Sequence, residues 1–135
     1  MVHSLIIKSI FFLKKIKIDT LITTGCYMSL PWCLASKILN IKNLVITRGS
    51  DGAFLYDSNL KKFFYSPAFA TRVVDKVGAG DTMLSIISLL IKLKSKHLLS
   101  LFIGSLAGAI SVERLSNKVP LNKTKLFKYM EHIIK

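Results

Sequence analysis

The stretch Gly78-Ala79-Gly80-Asp81 limits what this chain can fold into more than any other. It follows a short strand candidate, Arg72-Val73-Val74-Asp75. It runs into an apolar segment, Thr82 to Leu93, that is too long for one buried strand and reads as a helix. A backbone that enters a helix through glycines brings N–H groups without helical acceptors to the helix start, with no Cβ atoms in front of them. The partial positive charge at that end suits a phosphate or a developing anion. Asp81 stands in the first turn, where negative charge is favoured. A carboxylate beside an anion cradle is an arrangement that deprotonates an alcohol while the cradle holds phosphoryl charge. The spacing alone describes equally well a plain helix entry in which Asp81 is only a cap.

The longer string Asp75-Lys76-Val77-Gly78-Ala79-Gly80-Asp81-Thr82 resembles the C-terminal signature of the ribokinase-like carbohydrate kinases, the PfkB family. Upstream, Leu44 to Leu55 resembles the same family's strand–turn–strand, whose Thr-x-Gly-x-x-Gly is here Thr47, Gly49 and Gly52. The resemblance runs from Lys42 to the C-terminus, and residues 1–41 match it poorly. It implies an α/β fold, specifically the C-terminal part of a ribokinase-like fold with short strands followed by a helical layer. The expected organisation is a single partial domain over 1–135, in which 42–135 is the nucleotide-binding and catalytic part.

The resemblance also implies roles. Asp81 matches the base that takes the proton of a sugar hydroxyl, and the amides of Gly78, Ala79 and Gly80 match the anion hole around the transferring phosphoryl group. Asp75 matches a position that helps to hold a monovalent cation such as K+, with the Val77 carbonyl assisting. Thr47, Gly49 and Gly52 match the turn along the nucleotide. Arg48 stands where an apolar residue is common, either reaching a phosphate or solvated. Ser105 and Asn117 match the walls of the adenine pocket. The implied cofactors are ATP and Mg2+, and the implied partner is a sugar or sugar phosphate. The string Val74-Asp75-x-x-Gly-Ala-Gly-Asp-Thr resembles the branch acting on heptose phosphates of lipopolysaccharide biosynthesis. Asp75, Gly49 and Gly52 also have simpler readings as turn residues.

Departures accompany the resemblance. Lys76 stands where small or hydroxyl residues are preferred, and Ile86 where a small residue is usual behind the loop. The family's Asn-x-x-Glu motif, which helps to place magnesium, is absent: the only glutamates are Glu113 and Glu131, and neither has the spacing. The chain is shorter than a whole kinase of that family. The N-terminal half, with its sugar-binding residues and lid, is expected from outside this sequence, for example from a second chain.

Charge and cysteines narrow the alternatives. The net charge of +13 invites a nucleic-acid reading, but the lysines are scattered through every segment and no cluster interleaves them with aromatics. Nucleic acid is therefore not the expected partner. Cys26 and Cys33 lack CxxC spacing and further metal-ligating company, so free thiols in a reducing, cytoplasmic setting are expected. In Met1 to Phe12 the apolar run is broken by Lys8, and Lys14 and Lys15 follow it, the reverse of a signal peptide. The uncharged stretch Leu98 to Val112 falls short of the roughly 18 residues of a membrane span and reads as a buried helix, close-packed through Gly104, Ser105 and Gly108.

The remaining pattern predicts a helix over Met1 to Lys17, a strand over Ile18 to Thr24, a short helix over Trp32 to Leu39, and strands over Leu44–Thr47, Ala53–Tyr56 and Lys61–Ser66. Helices follow over Asp81–Leu93, Leu98–Arg114 and Asn122–Ile134, the last capped by Asn122. Three functions stay open at this level: a sugar kinase represented by its catalytic part, a non-catalytic remnant that retains nucleotide affinity, and a basic interaction module. A C-terminal part on its own is also expected to leave apolar surface uncovered.

Overall fold

Apolar residues at helical spacing alternate with β-branched runs along this chain, and the elements follow that alternation. The structure, a computed structural model, describes residues 2–113 and 121–134. Its elements in order are α1 (Val2–Ile16), β1 (Thr20–Thr24), α2 (Leu30–Ile38), β2 (Asn43–Thr47), β3 (Ala53–Asp57), β4 (Lys62–Ser66), α3 (Ala79–Lys92), α4 (His97–Val112) and α5 (Lys123–Ile134). Short 3-10 turns at Tyr27–Ser29 and Gly49–Asp51 precede α2 and β3. The chain falls into two compact units, Met1–Arg48 with Phe54–Phe64, and Gly49–Ala53 with Tyr65–Lys135.

The four strands form one sheet in the order β1-β2-β3-β4. β1 and β2 are parallel, with Thr20 opposite Asn43 and Thr24 opposite Thr47. A parallel pair needs a crossover, and α2 supplies it. The connections on either side of β3 are too short for a crossover, so β3 turns back on both neighbours as hairpins do. Asp57 closes the β3–β4 turn: its Oδ1 accepts the Asn59 and Leu60 N–H groups at 2.8 and 3.0 Å. β2 and β3 bury alternate residues, with Val45 and Leu55 fully enclosed.

In the first unit, Leu13 of α1, Ala35 of α2 and Ile41 form a small core, with Ile10, Ile18, Leu21, Trp32 and Leu39 against it. Trp32 is packing, as its place beside Pro31 suggests; its ring meets Phe12 edge-on at 5.8 Å. Apolar side chains are exposed in this unit: Ile7 and Phe11 of α1 and Phe63 of β4 are each about two-thirds to three-quarters exposed.

In the second unit the core is the α3–α4 pair. Met83 and Ile87 of α3 are buried, and ten residues of α4 are buried, Leu101 and Leu106 completely. Gly104 and Gly108, one turn apart, let the helices close. A Cβ at Gly104 would collide with Ile87, and one at Gly108 would lie 3.4 Å from Met83 Cβ. No helix is long and apolar enough to cross a membrane among the described residues.

Some expectations need correction. Arg72 to Asp75 is not a strand. Val73 and Val74 are exposed, and instead of pairing with a sheet the amides of Val74 and Asp75 both donate to the Val112 carbonyl, each at 3.0 Å. Helix formation also begins earlier than the apolar run suggests, at Ala79 rather than Asp81, and α2 takes in Leu30 and Pro31. His97 is half-buried at the start of α4, while His3 and His132 are exposed. Both cysteines are free; Cys26 is exposed and Cys33 half-buried.

α3 ends in a Schellman turn, with Lys94 N–H to Ile91 O at 2.9 Å and Ser95 N–H to Leu90 O at 3.0 Å. Lys94 occupies the left-handed position at φ 57°, where glycine is usual. Substitutions at the two ends of this packing should therefore act in opposite directions. Gly104→Ala should destabilise the protein by about 1–3 kcal/mol through overpacking against Ile87. Lys94→Gly should stabilise it by up to about 1 kcal/mol by relieving the left-handed strain. Urea denaturation of the three proteins measures both.

Candidate functional site

The start of α3 is shaped by a glycine and a short hydrogen bond. Asp75 Oδ1 accepts the Val77 N–H at 2.9 Å, which turns the chain. Gly78 then adopts φ 77°, ψ −4°, a left-handed conformation that a residue with a Cβ enters only with strain. Gly78 is the N-cap of α3, and no side chain caps that end. The reading of Asp81 as a plain cap thus fails on geometry: it lies two residues beyond the first helical residue, exposed, in the first turn.

The amides near this turn are not equivalent. Ala79 N–H reaches back to the Lys76 carbonyl at 3.4 Å, a long bond, and Thr82 N–H makes the first helical bond, to Gly78 O at 3.0 Å. Gly78, Gly80 and Asp81 lie ahead of that first bond, where helix geometry offers no acceptor. Gly80 is exposed, and the place its Cβ would take is open for 4 Å around. The loop therefore offers backbone donors, open space and the Asp81 carboxylate on one turn of chain.

Thr82 and the end of α4 brace this turn. The Thr82 hydroxyl donates to Gly78 O at 3.0 Å and lies 3.3 Å from Ser111 Oγ. Ahead of the loop, Glu113 Oε1 accepts from the Thr71 N–H at 3.2 Å and the Thr71 hydroxyl at 3.1 Å. The Tyr129 hydroxyl is 2.9 Å from the same oxygen and 3.1 Å from the Phe69 carbonyl, so its one proton is shared between two acceptors. Sequence reasoning assigned nothing to Thr82, Ser111, Glu113 and Tyr129. Thr82 had a signal, its place directly after Asp81; the others are joined to the loop only by folding.

The second glycine stretch follows β2. Thr47 is buried at the end of that strand, and its carbonyl accepts the Gly25 N–H. The Arg48 guanidinium stands 5.7 Å from the Phe54 ring centroid. Gly49 and Gly52 both have positive φ, and Gly52 N–H closes the turn on Gly49 O at 3.2 Å. Gly52 is required twice over, since a Cβ would also strike the Ser66 carbonyl and the Pro67 backbone. At Gly49 nothing lies within 4 Å of that position.

Asp75, Val77, Gly78, Ala79, Gly80 and Asp81 are thus brought together on one turn. Gly49 and Gly52 belong to the same unit as that turn, whereas Thr47 and Arg48 belong to the other. Ser105 is buried in α4, its hydroxyl without a hydrogen-bond partner among the described residues. Asn117 lies outside the described residues. No group of three or more His, Cys, Asp or Glu side chains gathers among the described residues. The loop's oxygen donors are the carboxylates of Asp75 and Asp81 and its carbonyls. That set suits a hard cation such as Mg2+, which is commonly held by one or two carboxylates together with substrate phosphates.

The Tyr129 hydroxyl has a pKa raised from 10.0 to about 12, chiefly because burial disfavours the phenolate and then because Glu113 accepts its hydrogen bond and repels the anion. Folding therefore favours the neutral phenol. That stabilisation is complete below pH about 10 and is lost as the pH rises through about 12. Tyr129→Phe should remove it, so the stability difference between the two proteins, followed by denaturation at pH 8 to 12, should shrink above pH 10.

Comparison with known proteins bears on this loop. A family model described as pfkB family carbohydrate kinase matches residues 33–124. A UDP-N-acetylglucosamine–N-acetylmuramyl-(pentapeptide) pyrophosphoryl-undecaprenol N-acetylglucosamine transferase of Pelagibacter ubique is 50% identical over 72 residues, which cover 44% of this chain and 20% of that protein. The bifunctional protein HldE of Campylobacter curvus is 32% identical over 79 residues, 58% of this chain and 16% of that protein. Among solved structures, a putative ribokinase II of E. coli in complex with ATP and Mg2+ superposes with a TM-score of 0.71 at 20% identity, over 84% of this chain and 39% of that one. The fold is therefore that of the ribokinases. The chain spans a fifth or less of these two curated relatives.

Proposed function

Because the chain belongs to the pfkB family of carbohydrate kinases, we propose that it is the nucleotide-binding and catalytic part of an enzyme that transfers the terminal phosphoryl group of ATP to a hydroxyl of a sugar or sugar phosphate. The observation that carries this reading is the uncapped start of α3, with Gly78 left-handed, open space at Gly80 and the Asp81 carboxylate exposed on the same turn.

In this reading the Asp81 carboxylate takes the proton of the acceptor hydroxyl as its oxygen attacks the γ-phosphorus and the bond to ADP breaks. The amides of Gly78 and Gly80, with that of Ala79 once it leaves its long bond to Lys76, receive the charge spread over the transferring group. The helix dipole adds to their effect. Such transfers are catalysed mainly by positioning and charge stabilisation, so a carboxylate and a row of donors make a sufficient centre. By resemblance, Thr47, Arg48, Gly49 and Gly52 are assigned to the nucleotide, and Ser105 and Asn117 to its base. The Asp75 and Asp81 carboxylates are the loop side chains that would hold magnesium, which would supply further charge neutralisation. Asp75 and the Val77 carbonyl are the donors offered to K+. The E. coli structure with ATP and Mg2+ supports the choice of nucleotide and divalent ion. A heptose phosphate is the favoured acceptor, on the string from Val74 to Thr82 and with the HldE likeness in keeping.

A second reading, nucleotide binding without turnover, is favoured by one observation: the sequence has no Asn-x-x-Glu. Calorimetry with ATP and magnesium, with and without K+, and a phosphoryl-transfer assay over a panel of sugars and sugar phosphates separate the two. Asp81→Asn should retain nucleotide binding and lower kcat by about 10²–10⁴-fold, the range of a positioned general base. Binding without turnover in the unsubstituted protein would select the second reading, and absence of both would reject the two together.

A further inference from the structure

The segment from Pro67 to Val77 has neither helix nor strand of its own. Its path, and so the direction in which Gly78 to Asp81 face, depends on what holds it from outside. The holding groups come chiefly from the end of α4. The Val112 carbonyl takes the amides of Val74 and Asp75. The next residue, Glu113, takes both donors of Thr71 on one carboxylate oxygen and ties them to Tyr129 of α5. Beyond the loop, Ser111 meets the Thr82 hydroxyl. Three consecutive residues, Ser111 and Val112 of α4 and its C-cap Glu113, thus grip the loop's approach and its exit. Further upstream, the Phe69 ring packs edge-on against Phe102 of α4 at 5.3 Å.

Glu113 is the unexpected member of this set. It is the C-cap of α4, the negative end of the helix, where a carboxylate is disfavoured. Its position is compensated by the donors that converge on it. Thr71 is exposed, so water competes for the amide and hydroxyl that Glu113 holds, and a charged acceptor competes with water better than a neutral one.

We infer that Glu113 is a positioning residue for phosphoryl transfer, one that fixes the glycine loop by anchoring Thr71 to the junction of α4 and α5. The role rests on the kinase reading above, but its structural half does not. Glu113 need not touch substrate. It acts on Thr71, four residues before Asp75, and through it on the amides that receive the phosphoryl charge.

Hydrogen–deuterium exchange of the full chain tests the structural half directly. Glu113→Ala should speed exchange of the amides from Thr71 to Val77 by about tenfold, the scale of a lost local anchor, and leave those of β2 within about twofold. Glu113→Gln keeps an acceptor oxygen and should recover most of the protection. Tyr129→Phe should give a smaller change in the same direction. Glu131→Ala, at an exposed position of α5, should change nothing in the loop. If Glu113→Ala does not fold, Thr71→Val, which deletes only the hydroxyl, replaces it and should loosen the same amides. Loop exchange unchanged by these variants, or raised equally throughout the chain, overturns the inference. In the transfer assay, Glu113→Ala should lower kcat about tenfold or more with a smaller effect on KM for ATP, and Glu113→Gln should restore it. A loosened loop with unaltered kcat also overturns it. If the unsubstituted protein transfers no phosphoryl group to any acceptor, the kinase reading fails and with it Glu113's part in transfer, while exchange still decides whether Glu113 anchors the loop.

Discussion

The close approach of α3 and α4 is the contact on which the second unit depends. Glycine at 104 removes the side chain that would stand in the way, and Ile87 fills the space. The gain is dispersion and apolar burial between two helices whose inner faces carry mostly small and aliphatic residues. The consequence reaches the loop. With α3 seated on α4, the last turn of α4 lies beside the chain entering and leaving the start of α3, within hydrogen-bonding distance of Thr71, Val74, Asp75 and Thr82. Packing in the core thereby sets the geometry of an exposed loop that has little packing of its own.

The loop combines two demands that usually conflict. In the proposed reading it leaves backbone donors open to an anion, yet unpaired amides give a segment little to hold it. Here the two are assigned to different residues. Val74, Asp75, Val77 and Thr82 spend their donors on carbonyls or on the Asp75 carboxylate. The donors of Gly78, Gly80 and Asp81 are left to the space in front of the helix. The proposed transfer would use that division, because a phosphoryl group in transfer needs many fixed donors and few reactive side chains.

Much of the fold was legible. Leu44–Thr47, Ala53–Tyr56 and Lys61–Ser66 read as strands because β-branched and aromatic residues are bounded by turn residues, and the structure has strands there. The cap at Asn122 was legible too, and its Oδ1 accepts the Lys125 N–H at 2.9 Å. Arg72 to Asp75 misled, because two adjacent valines look like a strand whether or not a neighbouring strand exists to receive their amides. The C-terminal ends of α2 and α3 were legible to within a residue, but the left-handed residue after α3 was not, because Lys94 stands where a glycine usually marks it.

By itself the sequence determined the local geometry of this protein: which segments are helices, that the chain turns at Gly49, Gly52 and Gly78, and that an aspartate stands in the turn where a helix dipole favours negative charge. These are short-range matters, decided by φ, by the presence or absence of a Cβ, and by apolar spacing. Only the tertiary structure decided what braces that aspartate's loop. Glu113 and Thr71 are 42 residues apart, and Tyr129 and Phe69 are 60. No local pattern marks such a pair, because the hydrogen bonds exist only after α4 has packed on α3 and α5 has joined it.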